Sequence, residues 1–210
     1  MREGRHTAQV IREEAAQLFF EKGYHATSLR EVAAAAGLKV GSLYNHIESK
    51  EDLLLQVMGG AIDDLVELQQ EAIRGVSDPV DKLRSVVDCH VRFHAGRARE
   101  VFIGNTNIRA LAEDARQEIV SKRNGYERII QDVIEEVGEA GQASVIDSRL
   151  HTFSFVALGS NVASWYREDG RLSLDEIVAA FSKICLRELC VQDADERVDR
   201  ALGRVAAPAG

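Results

Sequence analysis

Proline is almost absent from the 210 residues, with Pro79 and Pro208 the only two. Long stretches therefore run without a helix breaker. β-branched runs are short, while Ala, Glu, Leu and Arg are abundant, which predicts an all-α fold. Cysteine is nearly as rare. Cys89, Cys185 and Cys190 are odd in number and form no CxxC pair. They argue against a disulfide framework and for a reducing cytosol. No apolar run is long enough to cross a membrane. The longest uncharged stretch, Leu150 to Tyr166, holds His151, Asn161 and three serines, too short and too polar for a bilayer. The first twenty residues, "MREGRHTAQVIREEAAQLFF", lack the apolar block of a secretory leader. A cytoplasmic protein without membrane contact is expected. GxSxG, phosphate-loop and HExxH motifs are missing too. A non-enzyme is expected, with a catalytic pair hidden in a helical bundle as the alternative.

Excess positive charge is also lacking. The net charge is −8, which excludes a general polyanion binder. The imbalance is uneven, however: residues 1–50 carry a net +1 and the remaining 160 carry −9. An anionic partner should meet the first 50 residues.

Helical periodicity organises the chain. Ile11, Ala15, Leu18 and Phe19 share one face of a first helix that Gly23 ends. Ser28 and Glu31 have capping-box spacing, and a short second helix runs to Gly37. "LKVGSLYNHI" reads as a third, with Leu43 and Ile47 inward, and Ser49 caps a fourth that continues to about Gly75. Further helices follow Pro79, span about 113–137 and about 145–168, and end with one over about 174–191. The expected domains are 1–50, 51–195, and a frayed tail over 196–210.

Two helices this short, joined by a tight turn at Gly37, need the first helix as a third wall. A tri-helical unit of about 50 residues is the helix-turn-helix signature. Ser42 and Asn45 can bond base edges or phosphate, and Val40 and the Tyr44 ring can lie on thymine methyls. Thr27, Ser28, Tyr44, His46 and Lys50 are types that hold phosphates, and Gly41 admits close backbone approach. Solvated helix faces offer the same residue types one at a time; the combination points to double-stranded DNA.

"TSLREVAAAAGLKVGSLYNHIESKEDLL" closely resembles the DNA-binding domain of TetR-type transcriptional repressors. Thr27 at the start of the second helix, Ala33-x-x-Ala36-Gly37, Gly41-Ser42-Leu43-Tyr44-x-His46 and Ser49-Lys50-Glu51 carry the resemblance, over about residues 7–55. It implies about nine helices, a homodimer on a palindromic operator, and a small-molecule effector. Carried over by position, Ser28, Tyr44, His46 and Lys50 fall on phosphate and groove contacts. Arg30 falls where some members read guanine, and Lys39, Val40, Gly41, Ser42 and Asn45 on the recognition helix and its start. Val40 departs from the pattern, because a polar residue often stands there. A transcriptional activator, or a DNA-binding dimer without an effector, is the alternative.

The remainder offers two further surfaces. Ala157, Gly159, Ser160, Ala163 and Ser164 are small and allow close helix packing. With Val178, Phe181 and Cys185 on a broad stripe, they form an expected dimer interface, or else close the monomer's own core. Phe93, Phe102, Tyr126, Phe153 and Trp165, interrupted by His90, His94, Asn105 and Asn161, suit an apolar ligand pocket with a few polar groups. Internally bonded core residues would show the same pattern. Met58 on the fourth helix and Arg109 complete the expected ligand set. "NGYERIIQDVIEEVGEAG" and "GSNVASWYREDGRLSLDEIVAAF" resemble the branch that responds to coenzyme A thioesters of fatty or steroid-derived acids. Arg97, Arg99, Arg109, Lys122, Arg123 and Arg167 are cations for such a ligand's phosphates. Cys89, His90 and His94 on one helix also invite a metal, with Asp147 or His151 as third ligand. Pocket or core histidines are the simpler reading, so neither a metal nor a cofactor is expected.

Overall fold

The computed structural model describes residues 2–203, with side chains from His6 onward. Ten α-helices follow one another: α1 Arg2–Lys22, α2 Leu29–Ala35, α3 Val40–Leu43, α4 Lys50–Ile73, α5 Pro79–Gly96, α6 Ala98–Thr106, α7 Glu113–Glu139, α8 Ser148–Trp165, α9 Leu174–Glu188 and α10 Ala194–Ala201. A 3₁₀ turn, Ile108–Ala110, lies between α6 and α7, and no strand occurs among the described residues. The fold is all-α, with one helix more than expected.

Local chemistry sets the helix ends. Gly23 at φ +87° and Gly37 at φ +68° terminate α1 and α2 in the left-handed region that glycine tolerates. Ser28 caps α2 in a full capping box with Glu31, and Ser173 caps α9 likewise with Glu176. Ser49 Oγ accepts the Asp52 amide at 2.9 Å at the start of α4, and Asp147 caps α8 by accepting from Leu150.

The chain packs as two compact units. One runs to Asp64 and takes in Arg97–Arg123; the other holds Leu65–Gly96 and the chain from Asn124 onward. The packing therefore does not divide at residue 50. Leu53, Leu54, Val57 and Met58 of α4 share a core with Phe19, Leu43, Ile103 and Ile119, so α6 and the start of α7 join the head. Each such buried aliphatic side chain contributes about 1.5–3 kcal/mol. In the second unit α5 packs against both α8 and α9, burying Leu83, Val86, Phe155, Val178 and Leu186.

Two expectations change. α3 is helical over only four residues, and Tyr44–His46 continue as turns, with Asn45 bonded to Ser42 at 3.2 Å and His46 to Leu43 at 2.9 Å. The tighter i→i+3 pattern still delivers Leu43 and Ile47 to the core. The supposed tail is helix α10 as far as Ala201. Val198 is 1% exposed; Lys183 pairs with Asp199 at 2.8 Å and Arg197 with Asp78 at 3.2 Å. The apolar side chain docks the helix and the ion pairs line its rim. Residues 204–210 of the expected tail lie outside the described residues.

Val198→Asp should strip hydrogen-exchange protection from residues 194–201, because an unpaired carboxylate replaces a buried aliphatic group. Arg200→Ala, at an exposed position of the same helix, should leave that protection intact.

Candidate functional site

The head presents one polar face. Ser28, Arg30, Lys39, Gly41, Tyr44 and Asn45 are exposed, and Ser42, His46 and Lys50 are half-buried. Tyr44 is 54% exposed, unusual for a ring that the same short segment could have turned inward. A Cβ added at Gly41 would meet nothing within 4 Å, so the chain's own packing does not demand glycine there. Lys50 is held in place: its ammonium sits 4.6 Å from the Tyr24 ring centroid and donates to the His25 carbonyl at 3.2 Å. Burial lowers its pKa. The Ser28 hydroxyl donates to Glu31 at 2.8 Å. Glu31 is acidified to about 2, first by its hydrogen bond to Lys22 and then by those from Ser28.

Two residues of this face are reassigned. Thr27 is buried, and its hydroxyl lies 3.0 Å from the Gly23 carbonyl and 3.2 Å from that of Leu18. It ties the end of α1 to the start of α2. Val40 is half-buried and packs against the head's core. Its apolar character is explained by that packing.

The eleven expected ligand residues are divided between the two units. Met58 is buried in the head's core. Phe102, Asn105 and Arg109 are exposed on the same unit, with Phe102 edge-on to Phe20 at 5.3 Å. Phe153, Asn161 and Trp165 are exposed on α8. His90, Phe93, His94 and Tyr126 alone are buried together in the second unit. Of the six cations, Arg97 pairs with Asp64 at 3.2 Å, Lys122 with Asp63 at 2.6 Å, and Arg123 donates to the Gly104 carbonyl at 2.9 Å. Arg99, Arg109 and Arg167 are exposed.

The buried histidines have determined tautomers. His94 Nδ1 lies 2.8 Å from the His90 carbonyl and must donate to it, leaving Nε2 as an acceptor. The Ser160 hydroxyl, 3.2 Å from that Nε2, supplies the proton. His90 Nε2 lies 3.4 Å from the Val156 carbonyl and 3.3 Å from Ser160 Oγ. It is therefore the protonated nitrogen, and Nδ1 is a bare acceptor. Nδ1 is buried without a partner among the described residues, at a cost of about 1–3 kcal/mol. Gly159 permits this packing, since a Cβ there would stand 2.3 Å from His90 Cδ2. Beside His90 lies a cavity of about 10 Å³, lined also by Val87, Phe155, Leu158, Phe181 and Cys185. That is barely room for one water.

Sequence reading missed Gln69, which is fully buried with neither amide atom partnered among the described residues. Its signal was a lone polar side chain on the stripe Met58, Ile62, Leu65, Gln69. The expected dimer residues also separate. Val178 and Cys185 belong to the second unit's core, and Ser160 turns inward to the histidines. Ala157 and Ser164 are exposed and Phe181 is half-buried. An apolar stripe does face outward: Leu150 at 64% exposure, Phe153, Ala157 and Trp165 on α8, with Ile184 on α9. No group of three or more metal-ligating side chains occurs among the described residues. His151, the considered third ligand, bonds Glu188 at 2.7 Å and the Ile146 amide at 3.3 Å.

Comparison with known proteins places these features. A family model described as bacterial regulatory proteins, tetR family, matches residues 11–57. A second, tetracyclin repressor-like, C-terminal domain, matches residues 76–189. The HTH-type transcriptional repressor KstR2 of Rhodococcus jostii is 30% identical over 175 residues, covering 82% of this chain and 85% of its own. The fatty acid metabolism regulator protein of Bacillus subtilis is 24% identical over 176 residues, covering 83% and 91%. A solved structure of AibR in complex with isovaleryl coenzyme A and operator DNA superposes with a TM-score of 0.76 at 25% identity, covering 88% of this chain and 99% of that one.

Burial, and next the repulsion that a second imidazolium at His94 would add, push the His90 pKa well below the imidazole norm; burial likewise lowers that of His94. Below pH 6.5 the unfolded chain therefore takes up protons that the folded chain refuses. Stability held above that pH is lost on acidification, at up to about 1.4 kcal/mol per pH unit for each histidine. Urea unfolding at pH 7 and at pH 5.5 should show this loss, and His94→Gln should make the slope shallower.

Proposed function

The chain belongs to the TetR family of bacterial transcriptional regulators, and on that premise we propose that it is a homodimeric, effector-released repressor of a palindromic operator. The observation that carries this reading is the outward face of α2, α3 and the following turn. Arg30, Ser42, Tyr44 and Asn45 are offered to base edges, and Ser28, Lys39, His46 and Lys50 to phosphates. The open space around Gly41 leaves room for a DNA strand against the backbone. Val40 takes no part in readout, because its side chain is spent on the core.

One head with a net charge of +1 over residues 1–50 binds DNA weakly. Two heads reaching successive turns, about 34–36 Å apart, bind well. The exposed stripe of Leu150, Phe153, Ala157, Trp165 and Ile184 is the surface assigned to the second copy. The effector is an acyl thioester of coenzyme A. AibR has been solved with isovaleryl coenzyme A, and the Bacillus relative is named for fatty acid metabolism. The ligand's acyl end enters the core around His90. α4 runs from Lys50 beside the DNA face to Gln69 and beyond, so it carries the response. A ligand with greater affinity for the DNA-incompetent dimer shifts the population off the operator.

Tyr44→Ala should weaken binding to duplexes selected from a random pool by at least about tenfold, with helicity and dimer mass unchanged. Full affinity in that variant would overturn the assigned face. Phe153→Asp combined with Ile184→Asp should give a folded monomer in native mass spectrometry, with operator binding lost. A persistent dimer would place the interface elsewhere.

A further inference from the structure

The Nδ1 atom of His90 has a fixed chemical demand. Its ring is 2% exposed, and its orientation is set on the other side, where Nε2 faces the Val156 carbonyl and Ser160. The Ser160 hydroxyl gives its proton to His94 Nε2, because His94 Nδ1 is committed to the His90 carbonyl. Nothing in this relay serves His90 Nδ1. The close approach of α8 at Gly159 keeps the ring from moving. The atom is a neutral lone pair that only a hydrogen-bond donor satisfies.

The surroundings state the rest of the requirement. The cavity beside His90 is walled by Val87, Phe155, Leu158 and Phe181, with the Cys185 thiol as its other polar group. A ligand that widens it must be apolar along its length. A carboxylate end meets the lone pair only by bringing a proton with it, which leaves either an un-ionised acid or a charged pair in an apolar core. Gln69, on α4 in the same unit, repeats the pattern with a buried amide that has neither partner. Arg84 Nε and Gln142 Oε1 of this unit are also buried without a partner among the described residues, and each such group costs stability that a bound hydrogen-bonding partner relieves.

We propose that His90 is the recognition element for a hydrogen-bond donor that an otherwise apolar ligand carries into the core of the second unit. The inference rests on the acyl-thioester reading above and sharpens it. The donor is a hydroxyl on the acyl chain or an amide N–H of the pantetheine arm; both present the same chemistry to Nδ1. Alkanes and ethers do not.

The test uses the full-length protein labelled with nitrogen-15 at histidine, titrated with octanoyl coenzyme A and with β-hydroxyoctanoyl coenzyme A. Affinity is measured by calorimetry, and the His90 Nδ1 resonance is followed in parallel. Binding should move that resonance from the free-acceptor range to the hydrogen-bonded range. If the hydroxyl is the donor, only the hydroxylated thioester moves it, and that ligand binds about tenfold tighter. If the amide is the donor, both ligands move it equally. His90→Leu should erase the preference in the first case and weaken both ligands about tenfold in the second. Binding of either thioester that leaves the wild-type resonance unmoved for both overturns the proposal, whether or not the variant folds. Failure of both to bind removes the acyl-thioester reading and this inference with it.

Discussion

The head depends on Leu43 and Ile47 reaching a core that their own helix is too short to make. α3 has four helical residues and α2 seven, well below the length at which a helix is stable alone. Both are held by burial against α1, α4, α6 and α7, where Leu43 is fully enclosed. Once Leu43 and Ile47 are inside, periodicity forces Tyr44 and Asn45 outward. The polar face is thus a by-product of where two aliphatic side chains go. It also explains why the head keeps α6 and the start of α7: without Ile103 and Ile119, that core would lack a wall.

The second unit is built around a different constraint, the close passage of α8 over α5. Gly159 lets the His90 ring lie against the α8 backbone, and Ser160 then falls between two imidazoles. Each histidine is neutral because its environment penalises charge and its bonds need one protonated nitrogen. The arrangement satisfies three of four ring nitrogens. The fourth, His90 Nδ1, has no partner among the described residues.

α8 shows two apolar faces, and α9 adds Ile184 outside its buried stripe; the sequence does not say which is inside. Val178 and Cys185 read as interface residues because they lie on a broad stripe, yet they pack within the unit. Phe153 and Trp165 read as pocket residues because they are aromatic, yet they lie outside beside Ile184. A residue's type fixes that it prefers burial; only its neighbours fix whether the burial is against its own chain or another surface. The same logic applies to Thr27, whose hydroxyl reads as a polar contact in the sequence and in the fold lies within reach of two backbone carbonyls.

The sequence by itself determined what is local or additive. Helix class followed from the scarcity of proline, and helix ends from Gly23, Gly37, Ser28 and Ser173. The net +1 of the first 50 residues against −9 for the rest is likewise read from the sequence alone. Those signals act over one helical turn or sum along the chain, so no partner element is needed to read them. Tertiary structure decided everything that depends on a pair of distant residues. It joined Arg97–Arg123 to the head, docked α10 through Val198, and left His90 Nδ1 and Gln69 without partners among the described residues. Burial and hydrogen bonding are properties of three-dimensional neighbours, and residues some 70 positions apart, such as His90 and Ser160, become neighbours only when the chain is folded.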